Sequence, residues 1–319
     1  MRAFFGFLGE AFASVMADRR PLLHWLLLLA LVAMWGSSFM FTKVALEALA
    51  PLGLVAARLT IGAALLVALL SALRRPWPGG SRLWLFFLAM ALLGNALPFF
   101  LISWGQQRID SGLAGILMAV MPLATLVLAH FLVEGEGLTR RRAGGFALGF
   151  LGIVALMGPE ALLEMRGEGT VLLSQLAVLC GALCYAANTI VARRRPTSDP
   201  LVAAAGVTLL AAAVMLPAAA FTAPVSIIRL PLAPALALLA LGAISTGLAT
   251  VVYFKLVTLA GPTFLSLINY LIPIWAVAVG MIVLAERPEW TALAGLALIL
   301  GGIGLSESSR RRSRSQAEE

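Results

Sequence analysis

The chain has 319 residues, 61% of them hydrophobic and only 12% charged, with a mean hydropathy of +0.99. A water-soluble protein of this length could not solvate so apolar a surface, so the lipid bilayer must supply much of its environment. The formal charge of +8 sits in short arginine clusters between apolar runs, which fits membrane topogenesis and argues against a folded nucleic-acid-binding domain.

Residues 1–23 are expected to form a cytoplasmic amphipathic arm. Phe4, Phe5, Phe7, Leu8 and Phe12 lie among Arg2, Glu10, Asp18, Arg19 and Arg20, too polar for a span and without the apolar core of a signal peptide. Ten apolar runs follow, at 24–43, 51–73, 82–104, 111–132, 143–158, 170–192, 200–222, 232–254, 262–285 and 290–306. Each is near the ~20 residues a helix needs to cross ~30 Å of hydrocarbon. The two-residue alternation of a barrel strand is absent. Assigning the loops to alternate sides places seventeen Lys and Arg on one side and five on the other, with Arg58 inside the second run. Positive residues favour the cytoplasm, so both termini, including a basic tail at 307–319, are expected there.

The chain also repeats itself. Pro122, Glu136, Gly145 and Gly152 are matched by Pro273, Glu286, Gly295 and Gly302, with Glu-to-Gly spacings of nine and sixteen residues in both copies. Upstream, Trp35-Gly36 pairs with Tyr185-Ala186 and Pro51-Leu52 with Pro200-Leu201. Residues 24–158 and 170–306 therefore read as two repeats of five helices. Five is odd, so the second repeat must enter from the opposite face. The expected fold is an all-α integral membrane protein with ten transmembrane helices in two inverted-topology repeats.

Pro122 and Pro273 lie about eleven residues, or ~17 Å, into their runs, near the midplane. Each removes an N–H and frees the carbonyl four residues back, those of Met118 and Asn269, which points to kinks at a gate or binding site. At the same depth lie Trp35, Ser37, Ser38, Asn95, Tyr185, Asn188, Ser245, Thr246, Asn269, Tyr270 and Trp275. Ser and Thr in such helices commonly bond to their own backbone. Asn and Tyr at one depth are costly to bury without purpose, so several are expected to line one cavity. Trp104 and Tyr253 are assigned to interfacial aromatic belts.

Arg58 is expected to snorkel towards the nearer interface. Pairing with Glu47 or with a substrate carboxylate is the alternative. His130 reads as structural rather than proton-coupling, and Cys180 and Cys184 as small core residues. All fifteen carboxylates fall in loops or at the ends of runs. No Walker loop, zinc motif or acyltransferase pattern occurs, so no metal, cofactor or enzymatic activity is expected. Gly144, Gly145, Gly149 and Gly152, with Gly295, Gly301, Gly302 and Gly304, form small-residue faces suited to a close-packed scaffold or a weak dimer contact, in a protein otherwise monomeric.

Met34-Trp35-Gly36-Ser37-Ser38-Phe39, Lys43, Pro51 and Ala57-Arg58-Leu59, taken with the doubled Pro…Glu…Gly…Gly pattern, resemble the drug/metabolite transporter superfamily, in particular its ten-helix EamA-type carriers. The resemblance covers about 24–306 and departs by one residue between Pro122 and Glu136. It implies a central cavity lined by helices 1, 3, 4, 6, 8 and 9, and export of amino acids or related small polar metabolites across a bacterial inner membrane by alternating access. Residues expected to contact substrate are Trp35, Ser38, Asn95, Met118, Tyr185, Asn188, Asn269, Tyr270 and Trp275. Within the superfamily, nucleotide-sugar or sugar-phosphate exchange is the alternative, and it should need more midplane cations than Arg58 alone. A membrane-embedded enzyme acting on lipid is less favoured, because it would need a reactive cluster at the interface.

Overall fold

The computed structural model describes residues 21–133, 139–164, 170–194, 198–220 and 230–315. The arm up to residue 20, the loop holding Glu136 and the last four residues of the tail lie outside the described residues. Among those described, every element is helical.

The elements are α1 (Leu22–Ala45), α2 (Pro51–Ala72), α3 (Ser81–Ala91), a π-helical stretch (Leu92–Ala96), α4 (Leu97–Gly105), α5 (Ser111–Met118), α6 (Met121–Leu132) and α7 (Arg140–Glu164). Then come α8 (Thr170–Ala192), α9 (Pro200–Ala220), α10 (Leu232–Leu239), a second π-helical stretch (Ala240–Leu248), α11 (Ala249–Leu265), α12 (Ile268–Val283) and α13 (Trp290–Ser315). Seven continuous stretches are long and apolar enough to cross a membrane: Leu22–Ala45, Pro51–Ala72, Ser81–Gly105, Ser111–Leu132, Thr170–Ala192, Pro200–Ala220 and Leu232–Gly261. Ile268–Val283 and Trp290–Ser306 are shorter apolar helices.

The prolines explain where the helices break, though not symmetrically. Pro122 is the second residue of α6, where a missing N–H has no intrahelical partner to lose. The chain before it tightens through Ala119 N–H to Ile116 O and Val120 N–H to Leu117 O. Pro273 instead stands inside α12, and the turn at Ser266–Leu267 precedes it by more than one helical turn. One sequence signal thus yields a clean helix break in one half and an interior proline in the other.

Two of the four apolar clusters among the described residues span most of the helices. One joins Ile116, Leu117, Leu123, Val178, Val277 and Ile299 across α5, α6, α8, α12 and α13. The other joins Leu54, Leu59, Ala96, Ala211 and Leu241 across α2, the first π stretch, α9 and the second π stretch. The most extensive helix pair is α7 with α13, and glycine explains it. A Cβ at Gly302 would collide with Gly145 O and the Gly149 backbone, and one at Gly295 would lie 2.7 Å from Gly152 O. Gly302→Val should therefore cost on the order of 1–3 kcal/mol through overpacking. The expected result is a lower monodisperse yield in detergent, with unchanged ligand affinity per folded molecule. Cys180 departs from the sequence expectation. It is exposed, while Cys184 is half-buried, because the apolar side of α8 that packs carries Ala177, Val178 and Ala182 instead.

Candidate functional site

Polar contacts at mid-helix depth run between the two halves of the chain. Trp35 in α1 donates Nε1–H to Ser245 O at 3.1 Å, and Ser245 returns its hydroxyl to Met34 O at 2.8 Å. The Trp35 ring lies 5.6 Å from that of Tyr253. Trp104, in contrast, has Arg108 over its ring at 5.8 Å, near the end of α4. Trp275 in α12 donates Nε1–H to Ser37 Oγ at 2.9 Å and lies over Gly36, where an added Cβ would come within 2.6 Å of the indole. Trp275 remains 39% exposed, so one face stays open. Asn188 in α8 covers Gly94 in the same manner, and its Oδ1 is buried with no hydrogen-bond partner.

Met118, Tyr185 and Tyr270 pack, half-buried, against one apolar cluster. Ser38 spends its hydroxyl on Trp35 O at 2.6 Å, the local backbone bond expected of such a residue. Asn95 and Asn269 are half-buried. Exposed His130 lies against Phe131 at the end of α6.

Sequence reasoning missed the two π-helical stretches, which occupy corresponding places in the two halves. A change from i−4 to i−5 bonding leaves carbonyls without their usual partner, and such turns collect at functional sites. Here the consequence is visible at Ser245, whose carbonyl takes the Trp35 indole. Thr246 donates its hydroxyl to Leu241 O, five residues back, at 2.9 Å. The available signal was a glycine beside a polar residue in each half: Gly94-Asn95, and Gly242 through Ser245-Thr246-Gly247.

Arg58 departs from the snorkelling expectation. It is 6% exposed, donates Nε–H to Thr246 Oγ1 at 2.9 Å, and lies with its guanidinium 3.9 Å from the centre of the Phe99 ring. Glu47 is exposed and is not its partner. Close packing draws the side chain inwards: a Cβ at Gly62 would meet Thr246 at 2.7 Å, and one at Gly242 would meet Ile61 at 2.5 Å. With the backbones of α2 and the second π stretch in contact, Arg58 is delivered past the π stretch.

A second polar group closes the end of the bundle where α1, α4, α5 and α12 meet. Lys43 donates Nζ to Gln106 O at 3.0 Å and Ile109 O at 2.8 Å, while fully buried Gln106 donates Nε2 to Phe39 O at 2.9 Å. Glu286 accepts from both Ser111 N–H at 2.7 Å and Gly112 N–H at 2.9 Å. It thereby supplies from the second half the cap that the N-terminus of α5 needs. Its own N–H bonds Gly280 O at 3.1 Å, through a turn that places Ala285 at φ 54°. Gly112 and Gly280 leave the room the carboxylate occupies.

Asp110, the residue before α5, makes no capping bond. Partial desolvation and the charge of Glu286 push its carboxyl above the usual range, with Lys43 pulling the other way. A raised native value means that ionised Asp110 costs stability above the ordinary carboxylate range, near 4, and that the cost vanishes once both states are protonated. Asp110→Asn should accordingly raise thermal stability at neutral pH, with the gain fading towards about pH 4. A gain that grows in acid would contradict the assignment.

Beside this closure lies a cavity of about 260 Å³, lined by Asp110, Gly112, Gln175, Glu286, Glu289 and Thr291 among others. It falls below the ~300–1,000 Å³ usual for small-molecule sites and lies at the bundle end, away from Trp35 and Tyr185. We assign it to the closure.

Apolar membrane-length helices, a doubled helix pattern and polar contacts between the two halves fit a membrane carrier. Family comparison agrees: residues 23–158 and 172–307 each match the EamA-like transporter family. The chain belongs to that family, within the drug/metabolite transporter superfamily, and is a transporter. It is 30% identical over 291 residues to a chloroplast WAT1-related protein of Arabidopsis thaliana, covering 89% of this chain and 69% of that protein. A probable terminal-alkyne amino-acid exporter of Streptantibioticus cattleyicolor is also 30% identical, over 88% of this chain and 92% of the relative. The uncharacterised transporter YoaV of Bacillus subtilis is 24% identical over 86% of this chain and 94% of its own length. One crystal structure superposes with a TM-score of 0.62 at 23% identity, covering 92% of this chain and 99% of that one, a likeness of fold.

Proposed function

We propose that the protein exports amino acids or related small polar metabolites across a bacterial inner membrane by alternating access. The reading takes the chain as ten spans in two inverted repeats with both termini cytoplasmic, as the Lys and Arg distribution favours. The observation that carries it is the seam between the halves. Trp35 bonds across to Ser245, Trp275 crosses to Ser37, and Met118, Tyr185 and Tyr270 pack against one apolar cluster. A substrate held there lies where two opposed halves can open in turn. Flat aromatic walls offer apolar area with few rotamers to freeze, and amides suit a zwitterion. The name of the Streptantibioticus relative supports amino acids as the substrate class.

Topology is tested by fusing alkaline phosphatase after Arg314, where the proposal expects a silent reporter. High activity there would overturn the inverted arrangement. Substrate class is tested by uptake into proteoliposomes from a panel of L-amino acids, with exchange expected for at least one aliphatic or aromatic member.

A further inference from the structure

We infer that Arg58 is the carboxylate anchor of the substrate site, its guanidinium gripping the carboxylate of a zwitterion or small monoanion. The identity of that substrate as an amino acid rests on the function proposed above, whereas the anchor rests on the structure alone.

An arginine 6% exposed in a membrane-spanning helix is costly unless its charge is met. Here the protein meets it only in part. Nε–H is bound by Thr246, whose own hydroxyl proton is committed to Leu241 O, so the threonine lone pair fixes the plane of the guanidinium. One face rests on Phe99. Among the described residues Arg58 makes no ion pair, and neither terminal Nη group makes a hydrogen bond. The sequence holds no mid-helix Asp or Glu that could serve.

What remains is a planar two-pronged donor, held in orientation by Thr246 and Phe99. That fork matches a carboxylate bidentately, which an ammonium would not do. A phosphate dianion would need a second cation. Lys43, at the closed end of the bundle, is committed to Gln106 O and Ile109 O. A monoanion paired with the guanidinium leaves the occupied site neutral, and a zwitterion leaves its ammonium as the net charge, to be met by carbonyl oxygens.

The test is binding to detergent-purified, full-length protein of four compounds sharing one side chain: L-leucine, L-leucinamide, 4-methylpentanoate and isopentylamine. L-leucine and 4-methylpentanoate are expected to bind roughly tenfold or more tightly than L-leucinamide and isopentylamine, the margin a charged hydrogen-bonded contact supplies. Arg58→Gln should abolish that preference, and Arg58→Lys should restore part of it. This would separate an anchor from a merely structural residue. If neither variant folds, the ranking on the unaltered protein decides. L-leucinamide binding as well as L-leucine would overturn the anchor. So would displacement of bound L-leucine by inorganic phosphate but not by 4-methylpentanoate. Binding of 4-methylpentanoate but not of L-leucine, lost in Arg58→Gln, would keep the anchor and reject the amino-acid reading. Absence of binding by all four would reject both.

Discussion

Glu286→Gln is expected to loosen the closed end of the bundle and raise labelling from that side. The carboxylate accepts two backbone N–H bonds from the start of α5 at 2.7 and 2.9 Å and thereby ties the second half to the first. Glutamine keeps the shape and one oxygen but turns an NH₂ towards one of those N–H groups. Charge-assisted bonds of this kind are worth roughly 1.5–3 kcal/mol each. Losing one shifts a two-state equilibrium by about ten- to a hundredfold. In a Cys180→Ser, Cys184→Ser background, a cysteine at Leu113 should react faster with a membrane-impermeant maleimide once Glu286 is replaced. Flux should stay measurable, because the contact holds a conformation and need not touch substrate. Unchanged labelling, together with unchanged thermal stability, would show that the tie is incidental.

Trp35→Ala should have the largest effect on folding. Removing the indole deletes the bond to Ser245 O and the contact with Tyr253. It also leaves a cavity beside Leu28, Leu31, Val32 and Leu271. Truncating a fully buried large aromatic side chain costs about 3–5 kcal/mol, and half-buried Trp35 should lie towards or below the lower end of that range. Trp35→Phe keeps most of the apolar contact and should recover most of the stability, while the Ser245 carbonyl stays unpaired. Thermal unfolding in detergent distinguishes the two, and equal losses would mean that the hydrogen bond outweighs the packing. Asn269→Ala and Tyr270→Phe remove less volume and should act mainly on ligand affinity.

Much of this was legible before any coordinates. The doubled Pro…Glu…Gly…Gly pattern set the two halves apart, and the glycines of α7 and α13 meet as their spacing suggested, backbone against backbone. Other features were not legible, for identifiable reasons. A π turn differs from an α turn by one residue of register and leaves no periodic trace. The stretches at Leu92–Ala96 and Ala240–Leu248 therefore read as ordinary helix. Arg58 was assigned outwards because depth along a helix is visible in sequence and rotational facing is not. Gly62 and Gly242, which bring α2 against the second π stretch, decide the direction. Glu286 reads in sequence only as a carboxylate at the end of a run, because its partners are backbone N–H groups more than a hundred residues earlier. Pro122 and Pro273 looked equivalent, yet only Pro122 falls at the start of a helix.

The central claim is that the seam between the halves carries a small zwitterionic metabolite across the membrane. Its most direct test is counterflow in proteoliposomes, with purified protein and unlabelled L-amino acids inside and a radiolabelled trace outside. The account predicts transient accumulation of label for at least one aliphatic or aromatic amino acid, lost in Trp275→Ala and Arg58→Gln proteins that remain folded. Accumulation that persists undiminished in both folded variants, or a complete absence of counterflow across the panel, would contradict it.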